Sequence, residues 1–253
     1  ALSDNLAMFT GAGANVVALN STDGVVLVDG GTSEHTSALL QAVNGRVQTL
    51  FNTCWFPEQT GSNLTLGKAG ATIIAHENTR LWMTTDITRP WEKRTFLPSP
   101  KEARPNKTFY DKGTMTVGNE RIDYGYLLQA HTDGDIYVFF PRSNVLVIGG
   151  IVSTNEWPLI DWWTGGWIGG LANALETLSK IGDAQTRVVP ATGPILTRAD
   201  LQAQQEMYKT INTRLQQLIR KGKSPDEAIA AEPTKEFNDK MGKPETFIRL
   251  AFQ

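Results

Sequence analysis

Alternation of strand-like and helix-like segments is the feature that most limits how this 253-residue chain can fold. The runs 15–20 and 24–31 are rich in Val and Leu and are separated by Ser, Thr and Asp, a pattern typical of short β-strands. The segment 32–43 has apolar residues at helical spacing and predicts a helix with Ser33 as its N-cap, after which 47–53 returns to a strand pattern. Strands that alternate with helices favour a layered α/β fold.

The rest of the chain continues this alternation, with one proline-rich interruption. A helix, a strand and a second helix are predicted over 63–84, and four prolines fall among charged residues near 86–107, which predicts an exposed insertion or lid. Further strands are predicted at 5–11, 107–117, 120–130, 135–141, 144–150 and 187–191, and helices near 170–181, at 197–221 and at 224–232. Ser224 and Pro225 open the last of these helices. We expect one domain over 1–253.

Composition excludes several classes of protein. Hydrophobic residues make up 40% and charged residues 20%, an ordinary globular balance, and no apolar run is long enough for a membrane span. The net charge of −2 provides no strong field for nucleic acid, so no nucleic-acid partner is expected. The single cysteine, Cys54, excludes a disulfide within the chain and a zinc site built from several thiolates.

The expected localisation is periplasmic or secreted. The sequence begins at Ala1 rather than at methionine, which leads us to expect that a signal peptide has been removed. A single cysteine fits the periplasm and the cytosol equally well, so a cytoplasmic protein stays the alternative.

Five stretches carry a resemblance to a known family. They are "GVVLVDGG" (24–31), "FNTCWFPEQTGSN" (51–63), "GKAGATIIAHENTR" (67–80), "AHTDGDIYVFFPRSNVLVIGG" (130–150) and "VVPATGPILTRADL" (188–201). In their order and spacing they resemble the metallo-β-lactamase superfamily over essentially the whole chain, and in particular its periplasmic zinc hydrolases associated with quinoprotein systems. The resemblance implies a four-layer αβ/βα sandwich of the α/β (α+β) class, with the active site at one edge.

The resemblance also implies a site for two metal ions, and this sequence departs from it. The family binds the ions through a His-x-His-x-Asp-His run, a later His, an Asp and a last His. These positions fall on Cys54, Phe56, Glu58, Gln59, His131, Gly150 and Thr192, of which only His131 keeps the family residue. Zinc requires three or four imidazole, thiolate or carboxylate ligands, so we expect no dinuclear centre and no cofactor. A single ion held by Cys54, Glu58 and His131 stays an alternative.

Three side chains at these positions are candidate catalytic residues. His131 is either a general acid or base in a surviving pocket or an inert, hydrogen-bonded imidazole. Cys54 is either a thiolate nucleophile beside His131 or a small buried apolar residue. Glu58 is either a partly desolvated carboxyl suited to proton transfer or a loop carboxylate that points to water. For Asp29 the resemblance implies a structural role in orienting this loop.

Aromatic residues predict the character of the pocket. Trp157, Trp162, Trp163 and Trp167 fall within eleven residues, interleaved with glycines. Together with Trp55 and Phe56 they predict an apolar pocket with aromatic walls, to which Gln59 and Thr192 also contribute, and local packing under a loop is the alternative.

The sequence therefore predicts a metal-independent enzyme that acts on a small apolar, aromatic substrate by acid–base chemistry, as a lyase, dehydratase, isomerase or hydrolase. Two alternatives stay open. One is a non-catalytic protein that binds a ligand or a partner, and the other is a mononuclear zinc hydrolase.

Overall fold

The computed structural model covers residues 1–253. Its strands are β1 (Leu6–Phe9), β2 (Val16–Ser21), β3 (Gly24–Val28), β4 (Val47–Phe51), β5 (Thr72–His76), β6 (Ile87–Arg89), β7 (Arg94–Phe96), β8 (Lys107–Phe109), β9 (Lys112–Val117), β10 (Glu120–Tyr126), β11 (Ile136–Phe140), β12 (Val145–Gly149) and β13 (Arg187–Pro190). Its α-helices are α1 (Thr36–Val43), α2 (Pro57–Thr60), α3 (Asn63–Lys68), α4 (Glu77–Trp82), α5 (Ile168–Leu178), α6 (Arg198–Arg220), α7 (Pro225–Ala230), α8 (Asn238–Met241) and α9 (Glu245–Ala251). None of these helices combines the length and the apolar character needed to cross a membrane.

Two larger sheets and one hairpin contain all the strands. The first sheet has the order β1-β2-β3-β4-β5-β8 and is antiparallel up to β3 and parallel from β3 onward. The second has the order β13-β12-β11-β10-β9, and within it only β12 and β13 are parallel. β6 and β7 form a separate antiparallel hairpin. Because the carboxyl ends of parallel strands meet at one edge of a sheet, the loops that follow β3, β4, β12 and β13 are available to form a site.

Alternating side chains place each sheet between a helical layer and the other sheet. Val17 and Leu19 of β2 belong to the same buried cluster as Ile122 and Val138 of the second sheet, so this cluster fills the space between the sheets. The opposite face of the first sheet packs against α1 and α3, and the opposite face of the second sheet packs against α5 and α6. The order is helix, sheet, sheet, helix, which confirms the predicted four-layer αβ/βα sandwich.

Most predicted elements are confirmed, but the details at three places are wrong. Ser33 is not an N-cap, because Thr32 precedes the 3₁₀ turn at Ser33–His35 and His35 precedes α1, and neither side chain caps. The run 107–117 is not one strand, since β8 belongs to the first sheet and β9 to the second. The end of the chain forms α7, α8 and α9 rather than one helix. The predicted start of α7 is confirmed, with a capping box between Ser224 and Glu227.

The segment 86–107 is less exposed than the sequence suggests. Ile87 and Arg89 of its β6–β7 hairpin are buried, whereas Leu97, just after the hairpin, is exposed. The hairpin therefore inserts one face into the protein, next to the loop that follows β4.

Candidate active site

A cavity of about 340 Å³ lies where the loops after the parallel strands meet. The loop after β4 contributes Phe56, Glu58 and Gln59, and the loops after β12 and β13 contribute Gly150 and Thr192. His131, between β10 and β11, also lines the cavity. The fold thus brings together six of the seven positions that the family resemblance assigns to metal ligands.

His131 is buried and held among specific neighbours. Its Nδ1 lies 3.5 Å from Oδ1 of Asp135 and has no shorter hydrogen bond. Asp135 is itself fixed, because its carboxylate accepts hydrogen bonds from the backbone N–H of Thr132 at 2.7 Å and from the Thr132 hydroxyl at 3.0 Å. The ring of Phe56 lies 4.4 Å from the imidazole, centroid to centroid. Asp135 therefore lies beside Nδ1 of His131, and the residue lines the cavity.

Glycines let the backbone approach His131. A Cβ on Gly166 would lie 2.1 Å from the carbonyl oxygen of His131, and a Cβ on Gly150 would lie 2.9 Å from its Cε1. Any larger residue at either position would displace the imidazole or its backbone.

Glu58 and Gln59 lie on the short helix α2, which Pro57 begins. Glu58 lines the cavity, and its Oε2 is buried without a hydrogen-bond partner. Gln59 is anchored from both ends, because its backbone carbonyl accepts from the N–H of Gly30 at 2.8 Å and its side-chain Oε1 accepts from the Cys54 thiol at 3.6 Å. A carboxyl group with a free oxygen therefore stands in a rigid loop at the cavity wall.

Cys54 lies close to His131 but does not line the cavity. Its side chain is 1% exposed, and burial, together with the nearby Asp135 carboxylate, raises the pKa of the thiol well above its usual value. The thiolate that nucleophilic attack requires is therefore disfavoured, and the contacts are those of a small buried residue.

Asp29 holds the loop that carries these residues. It follows β3 with a left-handed backbone, at φ 64°. Its carboxylate accepts from the N–H of Thr53 at 2.8 Å and from the Thr53 hydroxyl at 2.7 Å. Burial nevertheless raises the pKa of Asp29 to about 7. These contacts are those of the structural residue that the resemblance implies.

The tryptophans are not gathered into one wall. Trp157 lines the cavity, whereas Trp55, Trp162, Trp163 and Trp167 do not. Trp55 is buried beneath the hairpin and donates to the Thr164 hydroxyl, and Trp162 packs against Trp91. Trp163, in the 3₁₀ turn at Trp162–Thr164, is 44% exposed, and Trp167, just before α5, is 43% exposed. The aromatic part of the cavity is limited to Phe56 and Trp157.

Charged residues that the sequence did not single out complete the cavity. Arg89 of β6 lines it, although it is only 4% exposed, and its guanidinium stacks 3.8 Å from the Phe56 ring centre. Its Nη1 donates to Glu92 at 3.1 Å and its Nε lies 3.5 Å from Oδ2 of Asp161, whereas Nη2 is buried without a hydrogen-bond partner. Glu92 and Glu156 also line the cavity, which is therefore more polar than predicted. The signal in the sequence was an arginine among aromatic residues in the proline-rich segment.

The donors near the cavity do not fit the two-metal centre that the resemblance implies. Phe56 and Gly150 bring no donor atom, and Thr192 brings only a neutral hydroxyl, so the positions expected to hold a second ion lack ligands.

The candidate ligands for a single metal ion are also poorly suited to bind it. Atoms of Cys54, His131 and Asp135 that could bind a metal lie within 4.8 Å of one another, and Glu58 is not part of this group. Both carboxylate oxygens of Asp135 accept hydrogen bonds from Thr132, and burial raises the pKa of the Cys54 thiol, so a metal ion bound there would have to displace the thiol proton.

Comparisons with known proteins agree with this architecture. The sequence pattern of the metallo-β-lactamase superfamily matches residues 9–192, so the chain belongs to that superfamily. A metallo-β-lactamase from Pontibacter korlensis superposes with a TM-score of 0.65 at 18% identity, covering 82% of this chain and 96% of that one. The DIM-1 metallo-β-lactamase gives a TM-score of 0.64 at 18% identity, covering 82% and 94%.

A third similar structure is a stereoselective inverting sec-alkylsulfatase, Pisa1, from Pseudomonas sp.. It superposes with a TM-score of 0.72 at 16% identity, and the match covers 100% of this chain but 49% of that one. At these identities the likeness establishes the fold alone. A comparison of the sequence with curated proteins found no match.

Proposed function

We propose that this protein is a metal-independent enzyme that uses His131 and Glu58 for proton transfer on a small substrate. The observation that supports the proposal is that the imidazole of His131 and the carboxyl group of Glu58 line one cavity. An imidazole and a carboxyl group on one cavity are a suitable pair of general base and general acid.

His131 is the proposed general base. Asp135 lies 3.5 Å from Nδ1 and favours the tautomer with the proton on that nitrogen. Nε2 then has a free lone pair that can accept a proton from a substrate or from water. Asp135 also stabilises the imidazolium that forms, as the carboxylate does in other Asp–His pairs.

Arg89 is the proposed electrophilic group. Glu92 and Asp161 balance its charge, and the Phe56 ring fixes the plane of the guanidinium. Because Arg89 lines the cavity, its positive charge can stabilise negative charge that develops on a substrate oxygen there. The apolar body of the substrate would contact Phe56 and Trp157.

The reaction that these roles fit best is hydrolysis of an ester or a lactone with an apolar or aromatic body. His131 deprotonates water, the resulting hydroxide attacks the carbonyl carbon, Arg89 stabilises the oxyanion, and the Glu58 carboxyl group is the proton donor to the leaving oxygen. The superfamily has a hydrolase-like fold, and similar structures include proteins named metallo-β-lactamases and a sec-alkylsulfatase, which favours an enzyme over a binding protein.

A substrate panel tests the proposal. Chelator-treated protein is assayed with aryl esters, lactones and hydroxylated aromatics, and activity on at least one ester or lactone is expected. His131→Gln and Glu58→Gln should each lower kcat by roughly 10²–10⁴, the usual contribution of a general acid or base. His35→Gln is the matched control, because that histidine lies outside the cavity.

Other results would contradict the assignment. Unchanged kcat in both variants with a confirmed substrate would place the chemistry elsewhere. Binding of panel compounds without turnover would favour the non-catalytic alternative. Activity that appears only with added zinc would favour a mononuclear hydrolase at Cys54, His131 and Asp135.

A further inference from the structure

The wall of the candidate active-site cavity has an excess of negative charge. Three glutamates line it, Glu58, Glu92 and Glu156, whereas Arg89 is the one arginine or lysine among the lining residues. Glu92 and Arg89 form a salt bridge at 3.1 Å, so their charges largely cancel. Glu58 is neutral when it holds the proton that it donates in the proposed reaction. The Glu156 carboxylate still has no counter-ion in the cavity wall.

Residues behind the wall do not supply that counter-ion. Asp161 is buried 3.5 Å from Nε of Arg89, so two carboxylates already share the guanidinium. Lys243 and Glu156 both line an adjoining cavity of about 400 Å³, but Lys243 does not line the active-site cavity and forms no salt bridge with Glu156. A positive charge on a ligand would therefore be stabilised in the active-site cavity.

An indole ring next to Glu156 is fixed in the same wall. Nε1 of Trp157 donates to the backbone carbonyl of Gly242 at 2.9 Å. The ring of Phe247 stacks on the indole with 4.4 Å between the centroids and an angle of 20° between the planes. Phe247 thus covers one face of the indole and leaves the other face for a ligand. An indole face beside a carboxylate attracts an organic cation.

His131 shows that the cavity can also bind a polar group. The residue is 5% exposed and lines the cavity. Its Nε2 makes no hydrogen bond within the protein and, unlike Nδ1, is not fully buried. Because buried polar groups normally form hydrogen bonds, the partner of Nε2 comes from the contents of the cavity.

We propose, on the basis of the hydrolysis proposed above, that the substrate carries a positively charged ammonium group on its apolar body. The ammonium group lies against the Glu156 carboxylate and the Trp157 indole, and the ester or lactone group lies at His131 and Arg89. The preference for a cation is a property of binding and can be measured without turnover.

Choline and 3,3-dimethylbutan-1-ol are the binding probes, because they have the same shape and differ in positive charge. Isothermal titration calorimetry at low salt should give choline a roughly 3- to 30-fold higher affinity, the combined effect of a cation–π contact and one partly exposed ion pair. Glu156→Gln should lower this ratio about two- to fivefold, and Trp157→Leu should also lower it. Glu102→Gln is the matched control. It removes the same charge at an exposed position that does not line the cavity, and should keep the ratio.

Acetylcholine and 3,3-dimethylbutyl acetate, the acetate esters of the two probes, distinguish failure of the cation preference from failure of the proposed hydrolysis. Tighter binding of choline that Glu156→Gln weakens, without turnover of either ester, would support the cation site and contradict the hydrolysis. Turnover of both esters with equal kcat/KM, and equal affinities for the two alcohols, would overturn the cation preference and leave the hydrolysis in place. An unchanged ratio in Glu156→Gln would also overturn it, as would no binding of choline at millimolar concentration.

Discussion

At the scale of single residues, Gly150 decides how His131 is held. The imidazole occupies the space that a side chain at position 150 would fill, since a Cβ there would lie 2.9 Å from Cε1 and 3.0 Å from Nε2. The family resemblance assigns an Asp to this position. The glycine found here leaves the space that the imidazole of His131 occupies.

We predict that Gly150→Ala destabilises the protein by about 1–3 kcal/mol, because the new methyl group overpacks a buried site. Gly150→Asp should cost roughly a further 1–3 kcal/mol, because its larger side chain displaces the imidazole further. Urea denaturation of both variants measures the two contributions separately. Equal stability of wild-type protein and Gly150→Ala would mean that the imidazole moves aside freely.

Asp29 makes stability depend on pH. Its pKa is about 7 in the folded protein, because burial outweighs the hydrogen bonds from Thr53, whereas the usual value is 3.8. The folded state therefore binds more protons between these values, so the contribution of Asp29 is fully present below about pH 4 and is lost as pH rises through about 7.

We predict that Asp29→Asn flattens the fall in stability between pH 4 and 7, by an amount on the order of 1–4 kcal/mol. Asn tolerates the left-handed backbone and keeps an oxygen that can accept from the Thr53 N–H. Denaturation curves at several pH values measure the effect, with exposed Asp4→Asn as the control. The same slope in wild-type protein and Asp29→Asn would contradict the raised pKa.

Cys54 should be inert in the folded protein. Burial raises the pKa of its thiol, and the side chain does not reach the cavity, so neither the thiolate nor access is available. We predict that iodoacetamide modifies Cys54 at least 100-fold more slowly in the native protein than in urea at pH 8, on the order expected for a buried thiol. Mass spectrometry over time measures this rate. Rapid modification of the native protein would mean that Cys54 is an accessible nucleophile.

At the scale of secondary-structure elements, the β6–β7 hairpin contains a buried residue that the sequence pattern does not predict. Four prolines and several charges predict an exposed segment near 86–107, and Leu97 is indeed exposed. Arg89 is buried nonetheless, because Phe56 and Asp161 from other parts of the chain contact it, in addition to Glu92 of its own hairpin. A charge that is paired across the fold has no local signature, so this part of the site could not be predicted.

The prediction of one strand over 107–117 is wrong for a related reason. Most of its residues favour strands, so the pattern predicts one strand, but the chain leaves the first sheet after Phe109 and enters the second at Lys112. Propensity reports the local preference for an extended backbone and does not report which sheet a strand joins. By contrast, Ser224 and Pro225 begin α7 as predicted, because capping depends on neighbours in sequence.

The stability of the protein at the β6–β7 hairpin should depend on Arg89. We predict that Arg89→Met destabilises the protein by about 3–5 kcal/mol at pH 8, because it leaves the buried Asp161 carboxylate without a cationic neighbour. The loss should be smaller at pH 5, since burial already raises the pKa of Asp161, and removing Arg89 raises it further, towards protonation.

The double variant Arg89→Met, Asp161→Asn is the control for this prediction, and it should recover part of the lost stability. Urea denaturation of the wild-type protein, the two single variants and the double variant gives the coupling free energy between the two residues. Additive effects would show that Arg89 contributes by packing on Phe56 rather than by its charge.

At the scale of the whole molecule, the fold was predictable and the detailed character of the site was not. The order of strands and helices and the five family-like stretches were sufficient to predict the four layers. Alternating apolar residues determine which faces of the strands are buried. They also placed His131, Glu58 and Gln59 on one cavity. The orientations of the tryptophans depend on contacts with distant parts of the chain, such as that of Trp157 with Phe247, which local patterns do not define.

The side chains at the cavity contact one another without a metal ion, so the protein should not need a metal to be stable. We predict that purified protein carries well under one zinc per chain by inductively coupled plasma mass spectrometry. We also expect the melting temperature to stay within about 1 °C with excess zinc or with a chelator, since a ligand that bound only the folded state would raise it. The donor group at Cys54, His131 and Asp135 is the reason that this measurement is informative. One zinc per chain, with a higher melting temperature that Cys54→Ser abolishes, would mean that the buried thiol yields its proton to a metal and that the catalyst is a mononuclear hydrolase.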